Sequence, residues 1–297
     1  MTTTLATAIH PTPAIVLAAG RGERMRPLTD TTPKPLLAVR GQPLLMWHVQ
    51  ALLDGGFERL VINTAWLGEK IHHFLGTLCA TEQNGLPPQT ATTAADILFS
   101  DERADFGQAL ETAGGIARAL PLLFAHRATS HAHLPTATPA HAETTTVAQA
   151  PDDVFWVVAG DVFVPGFAFS QASVARFRAS NHLAHLWLVP NPAHNPAGDF
   201  GLSADGLALN LPKLAGAGDT ADIPRYTYST IGLYRAELFS APWCDMAPGN
   251  PQGTPAPLAP LLRRAMDAGR VSAELYLGEW TDVGTPERLA QLNAPAD

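Results

Sequence analysis

The sequence predicts an α/β fold: a mostly parallel sheet flanked by helices, with small antiparallel additions in the C-terminal half. Three observations carry this. Short continuous apolar runs alternate with segments of helical period, the pattern of βαβ units. The first run, "AIVLAAG" (14–20), ends in a glycine-rich turn. From about residue 199 the character changes to short segments broken by a turn at Asp205-Gly206.

The elements follow in order. "AIVLAAG" reads as a buried parallel strand, apolar on both faces. In "QPLLMWHVQALLDGG" (42–56), Leu45, Val49, Leu52 and Leu53 share one helical face, and Gly55 or Gly56 stops the helix. "RLVINTAW" (59–66) is a strand, and "GEKIHHFLGTL" (68–78) a helix with Ile71, Phe74, Leu75 and Leu78 on one face. "DILFS" (96–100) is a strand and "ETAGGIARALPLL" (111–123) a helix. "VFWVVAGDV" (154–162) is the strongest strand signal, and "LAHLWLVP" (183–190) is next. "DFGLSADGLALNL" (199–211) and "YTYSTIGLY" (226–234) supply the antiparallel additions. "LAPLLRRAMDAG" (258–269) is a helix, "EWTDVGT" (279–285) a short strand into a turn, and "PERLAQL" (286–292) a last helix with proline at its first position. The layering is Rossmann-like.

A chain of 297 residues, 46% hydrophobic, can bury a large core. One domain over 13–297 is expected, after a frayed tail at 1–12. "AHRATSHAHLPTATPAHAETTTVAQAPD" (125–152) is mostly Ala, Thr, His and Pro, and lacks the apolar periodicity that would offset the entropy of ordering. It is expected to be a mobile insertion. Its histidines, His126, His131, His133 and His141, lack the carboxylate or cysteine pattern that completes a metal shell. The net charge of -8 argues against nucleic-acid binding. Cys79 and Cys244 form no CxxC and suit a reducing, cytoplasmic compartment. The first residues do not form a secretory signal, and no run of 18 or more apolar residues signals a membrane span. A monomer is the expectation.

Against this acidic background, "IVLAAGRGERMRPLTDTTPKPLLAVRGQPLL" (15–45) gathers Arg21, Arg24, Arg26, Lys34 and Arg40 beside only Glu23 and Asp30. A glycine-rich turn after a buried strand exposes backbone N–H groups to one anion. The turn here fits neither GxGxxG nor GxxxxGK[ST]. Lys34 stands between Pro33 and Pro35, whose fixed φ lowers the entropy of holding one ammonium in place. Arg24 and Lys34 together point to phosphate contact, whereas Arg26 alone is expected to pair with surface carboxylates. Both Arg24 and Lys34 are expected to face solvent in the empty site. Asp161 ends the run "VFWVVAG", at the carboxyl end of a central strand, where open α/β sheets bind ligands. An aspartate there is costly unless it meets a cation. Asp282, in "TDVG", also reads as an ordinary Asx turn.

The signature "LAAGRGERMRPLTDTTPKPLLAV" closely resembles that of the sugar-1-phosphate nucleotidylyltransferases. "VINTAWLGEKI", "ETAGGI", "AGDV", "NPAHNPAGDFGL", "YSTIGLY" and "WTDVGTPERL" follow in family order. The "NTAWLG" and "GDF" segments look most like the branch that transfers a uridylyl group from UTP to N-acetylmuramate 1-phosphate in peptidoglycan recycling. Mannose-1-phosphate guanylyltransferases share the signature and are the competing branch. The resemblance implies that Ala18, Ala19, Gly20, Gly22, Glu23 and Arg24 wrap a triphosphate, that Lys34 contacts phosphate, and that Arg24 and Lys34 act in catalysis. It implies Mg²⁺ held by Asp161 and Asp282, with UTP and a sugar 1-phosphate as substrates. Asp199 matches a sugar-contacting position, and Ala159 falls at a position that contacts sugar or nucleotide. Glu111 begins a helix, where its charge suits the helix dipole or a ribose or structural contact. Ala159 stands where the family usually has asparagine, which removes one polar contact. The region 100–115, longer than the family pattern, is where such proteins read the base.

In such a transfer two polyanions must meet, so catalysis is mainly positioning and charge neutralisation. Magnesium takes one or two carboxylates plus phosphate oxygens. Weaker candidates are Trp66, Ser229 and Thr230 for the sugar, while His72 and His73 are expected to be solvated. A regulatory homologue without activity is the reading of a different class. The intact set Arg24, Lys34, Asp161 and Asp282 counts against it.

Overall fold

The computed structural model describes residues 12–83, 95–125, 153–211 and 223–295. The insertion expected at 125–152 and most of the N-terminal tail therefore lie outside the described residues. Thr12, assigned to the tail, is buried and accepts a hydrogen bond from Arg178 Nη2 at 3.1 Å.

The strands are β1 (Ala14–Ala18), β2 (Ala38–Val39), β3 (Gln42–Pro43), β4 (Arg59–Thr64), β5 (Asp96–Asp101), β6 (Val154–Ala159) and β7 (Val162–Phe163). Then come β8 (Ala184–Val189), β9 (Phe200–Leu202), β10 (Ala208–Leu209), β11 (Arg225–Arg235), β12 (Val271–Leu275) and β13 (Thr281–Asp282). The helices are α1 (Leu44–Asp54), α2 (Gly68–Gln83), α3 (Glu102–Phe106), α4 (Glu111–Phe124), α5 (Gln171–Arg178), α6 (Leu258–Asp267) and α7 (Pro286–Asn293).

The core of the sheet is parallel: β6, β1, β4 and β5 lie side by side in that order. The long β11 then runs antiparallel to β6 on one side and to β8 on the other, with β12 parallel to β8 at the edge. The start of β11 pairs with β9, and β9 with β10, as the expected antiparallel additions.

Both faces of the parallel strands are covered, which is why they read as continuous apolar runs. Ile15, Val61 and Val157 face α4 and α6, packing with Ile116, Leu120, Leu258 and Leu262. Val16, Ile62 and Val158 face α1, α2 and α5, packing with Leu45, Val49, Leu52, Ile71 and Phe177. A third cluster of Met25, Leu37, Val39, Leu44, Phe163 and Val283 seats the glycine-rich loop on α1 and the C-terminal segment. Met25 is the buried residue of a 3₁₀ turn over Glu23–Met25, and so anchors the loop.

Candidate active site

The site lies at the carboxyl ends of β1 and β6, where the first loop and the Asp161 turn meet. Gly22 has φ 65, and a Cβ there would stand 3.0 Å from Thr29 Cγ2 and 3.4 Å from Lys34 Cβ. Only glycine lets the loop fold back this closely on the lysine stem. Thr29 Oγ1 closes the turn by donating to the Gly22 carbonyl at 2.9 Å. Pro33 and Pro35 set a 3₁₀ turn over Lys34–Leu36, fastened by Leu36 N to Pro33 O at 2.9 Å.

The five cations of the opening stretch separate by partner. Arg21 donates to Thr29 O and Asp30, and its guanidinium lies 3.6 Å from the Trp66 ring centroid. Arg26 donates to Asp30 at 2.9 Å, the expected surface pairing. Arg40 pairs with Glu279. Lys34 donates to Asp161 Oδ2 at 2.6 Å. Arg24 is exposed on the cleft and, among the described residues, has no ion-pair or hydrogen-bond partner.

Lys34 corrects one expectation. It does not face solvent in the empty site: it is 7% exposed. The cation that makes Asp161 tolerable at its strand end is this lysine, 127 residues away in sequence. No local pattern could have revealed that pairing.

These groups line a cleft of about 480 Å³. The loop contributes Ala18, Ala19, Gly20, Gly22, Glu23 and Arg24 to its wall. Lys34, Asp161, Ala159, Glu111 and Thr112 also line it. A second cavity of about 370 Å³ adjoins it and shares Leu17, Thr112, Ala159 and Thr230 with the first. Asp199 lies on this second wall with Phe200, Tyr228, Leu258 and Arg263. Both carboxylate oxygens of Asp199 already accept within the fold, from Asn195 Nδ2 at 3.2 Å and Tyr228 N at 2.9 Å. Burial pushes the Tyr228 phenol up, and its hydroxyl pairs with Tyr234 at 2.6 Å.

Two residues of the cleft sit in left-handed backbone without being glycine: Glu111 at φ 57 and Thr230 at φ 66. Such strain concentrates at functional sites. Thr230 falls where the pairing of β11 with β8 shifts between Tyr228 and Gly232, so an irregularity turns it into the cleft. Ser229 faces the other way. It is fully buried and donates to Trp187 O at 2.6 Å, so it is not a sugar contact. Trp66 also stays out of both cavities; its indole N–H donates to Thr29 O at 2.9 Å and braces the loop.

Asp282 lies beside Asp161 rather than on the cleft wall. Val283 N donates to Asp161 O at 3.1 Å, and Asp282 pairs with Val162 across β13 and β7. Its Oδ2 accepts from Arg288 Nη1 at 2.7 Å, and His194 Nε2 is 3.5 Å away. Each aspartate thus engages a cation through one oxygen. The donors here are hard oxygens on neighbouring positions, the set magnesium accepts. Among the described residues no group of three or more His, Cys, Asp or Glu could hold a metal.

A buried network escaped sequence reasoning. Asn63 Oδ1 accepts from Ala18 N at 2.7 Å, and Asn63 Nδ2 donates to Glu102 Oε1 at 2.6 Å. Glu102 Oε2 accepts from Leu110 N at 2.7 Å. Glu102 is fully buried, and that burial pushes its carboxyl pKa up. The network ties the start of the glycine-rich loop to the start of α4. Glu102 sits inside "SDERADFG", a charged stretch where nothing local marks a buried carboxylate, so only its partners reveal it. His72, expected to be solvated, is half-buried: it lies 3.0 Å from Thr64 Oγ1 and packs on Phe99, and burial lowers its pKa.

The family model described as nucleotidyl transferase matches residues 13–296. The chain belongs to the nucleotidyl transferase family. It is 41% identical over 95% of its length to the N-acetylmuramate alpha-1-phosphate uridylyltransferase of Neisseria meningitidis, covering 97% of that protein. It is 30% identical to the protein of the same name from Caulobacter vibrioides, over 95% of each chain. Among solved structures, HddC from Yersinia pseudotuberculosis complexed with GMP-PN superposes with a TM-score of 0.59. At 14% identity, covering 95% of this chain and 97% of that one, this likeness concerns the fold. As a nucleotidyl transferase, the protein has the mixed sheet with a parallel core that its sequence predicts.

Proposed function

We propose that this nucleotidyl transferase transfers a uridylyl group from UTP to N-acetylmuramate 1-phosphate, giving UDP-N-acetylmuramate and pyrophosphate, as a step in peptidoglycan recycling. The observation that carries this reading is the pair of cavities joined at Leu17, Thr112, Ala159 and Thr230. One is walled by a glycine-rich loop with Arg24, Lys34 and Asp161, the other by apolar and hydroxyl-bearing side chains with Asp199 and Arg263. Relatives with 41% and 30% identity over nearly the whole chain favour UTP and N-acetylmuramate over other pairs.

In this reading the loop from Ala18 to Arg24 wraps the triphosphate, its backbone N–H groups from Ala19 onward binding phosphate while that of Ala18 is held by Asn63, and Arg24 grips phosphate oxygens with its planar fork. The acceptor sugar enters the second cavity with its phosphate toward the shared wall. An oxygen of that phosphate attacks the α-phosphorus, the bond to pyrophosphate breaks, and the leaving group carries away the negative charge. No side chain forms a covalent bond. Lys34 neutralises charge as the two anions approach, and the Asn63–Glu102–Leu110 network holds the two walls in register. Asp161 and Asp282 would hold Mg²⁺, which when bound offsets phosphate charge.

The test is to incubate the protein with Mg²⁺, each common nucleoside triphosphate and a panel of sugar 1-phosphates, and to follow pyrophosphate. Release that requires UTP and N-acetylmuramate 1-phosphate is expected. Release with GTP and mannose 1-phosphate instead would replace this reading with the guanylyltransferase one. No release with any pair would favour a regulatory homologue.

A further inference from the structure

The wall of the second cavity carries one cation, Arg263, that has no countercharge among the described residues. Arg263, on α6, is half-buried on the cavity wall. Its Nη1 donates to Asn210 Oδ1 at 2.5 Å, and its guanidinium lies 5.2 Å from the Phe200 ring centroid. Asn210 is itself fixed by Asp267, to whose two oxygens it donates at 3.0 and 3.2 Å. Among the described residues no carboxylate comes within 4.0 Å of Arg263. The other charged group on the wall, Asp199, is already satisfied by Asn195 and Tyr228.

A guanidinium carries five N–H donors in a planar fork suited to a carboxylate. Here one is used by a neutral amide while the plane is held against an aromatic ring. Half-burying such a charge against Phe200, Tyr228, Leu258 and Leu262 costs free energy unless a ligand answers it. N-acetylmuramate differs from N-acetylglucosamine by one lactyl ether, which adds a carboxylate at neutral pH. Apolar walls alone separate such similar sugars weakly, whereas a charge left unpaired by the wrong sugar separates them strongly.

We infer that Arg263 is the specificity-determining residue of the acceptor cavity and pairs with the lactyl carboxylate of the sugar 1-phosphate. The inference rests on the acceptor proposed above, and its test separates the two. Steady-state kinetics at saturating UTP would compare N-acetylmuramate 1-phosphate with N-acetylglucosamine 1-phosphate for the wild type, Arg263→Gln and Arg263→Lys. Glutamine keeps a donor for Asn210 but removes the charge. The wild type should favour the carboxylate-bearing sugar. Arg263→Gln should cut the ratio of kcat/KM for the two acceptors on the order of 10- to 100-fold, the value of a charge-assisted hydrogen bond. The change should appear in KM for the carboxylate-bearing sugar, with partial recovery in Arg263→Lys. Calorimetric titration of UTP into each variant checks that the first cavity is intact. If Arg263→Gln keeps the wild-type ratio, or slows both acceptors equally, Arg263 does not read the carboxylate, and the acceptor assignment stands without it. If the wild type itself prefers the uncharged sugar or uses neither, the acceptor assignment fails and the inference falls with it.

Discussion

Lys34 and Asp161 are 2.6 Å apart, with side chains 9% and 41% exposed. Each answers the other's charge; in the proposed reaction, phosphate oxygens would compete for the lysine. Lys34→Met keeps the aliphatic stem under Gly22 and deletes the ammonium. It should weaken UTP binding and slow transfer together, by about 2–4 kcal/mol in the transition state, as for other preorganised charges. Because the lysine is buried, it should also destabilise the free protein by about 1 kcal/mol, Asp161 being open enough for water to replace part of the bond. UTP calorimetry run beside thermal unfolding separates these effects. Normal binding and turnover with only an earlier melt would make Lys34 purely structural. Asp161→Asn retains an acceptor for Lys34 while removing the negative charge. At least a ~100-fold drop in turnover with the fold intact is expected. Near wild-type turnover at saturating Mg²⁺ would exclude Asp161 as a ligand.

Between elements, the cleft depends on contacts too tight to admit one methyl group. A Cβ at Gly115 on α4 would stand 2.3 Å from Glu102 Oε1 and 2.8 Å from Asn63 Nδ2. Gly115→Ala must therefore displace the network joining β1, β4 and the start of α4. A loss of about 1–3 kcal/mol in denaturant unfolding is expected. UTP affinity should fall as well, since Ala18 and Glu111 border the same cleft. Reduced stability with unchanged UTP affinity would show that the network supports the fold without shaping the site. This network also marks the limit of what the sequence discloses. Strands β1, β4 and β6 are legible because burial on both faces forces unbroken apolar runs. Helix α1 is legible because Leu45, Val49, Leu52 and Leu53 repeat at helical spacing and all four are buried. Helix α5, "QASVARFR", buries only Val174 and Phe177, too few for periodicity to stand out. Its Ser170 cap, accepting from Ser173 N at 3.1 Å, was the available signal. The strand β12, "VSAEL", is short and lies at the sheet edge, where alternation over a few residues carries little information.

At the scale of the whole molecule, the site is a seam between segments distant in sequence, held by long-range bonds. Its loop and its strand ends were legible as motifs. The closures across it were not, because Lys34 to Asp161 and Val283 to Asp161 depend on tertiary packing alone. His48, from α1, lies beneath this seam. It is 1% exposed, and its Nε2 lies 2.8 Å from the Val162 carbonyl, to which the neutral ring donates. Burial lowers its pKa from 6.5 to about 4, against opposing effects of the Val162 hydrogen bond and the Asp161 charge. The sign follows from which state takes up the proton first. As pH falls below 6.5 the unfolded chain protonates this histidine while the folded protein does not. Stability is therefore fully present above 6.5, declines as pH drops, and levels off below about 4. At pH 5 the loss from this group should be about 2 kcal/mol. His48→Gln keeps a donor for Val162 but cannot take up the proton. Urea unfolding of both proteins at pH 7.5 and pH 5 isolates the effect, because all other titrating groups are common to the pair. The stability advantage of the wild type should shrink by about 2 kcal/mol between the two conditions. If the difference between the two proteins stays constant across that window, His48 is not held neutral under the seam, and the acid sensitivity of the fold arises elsewhere.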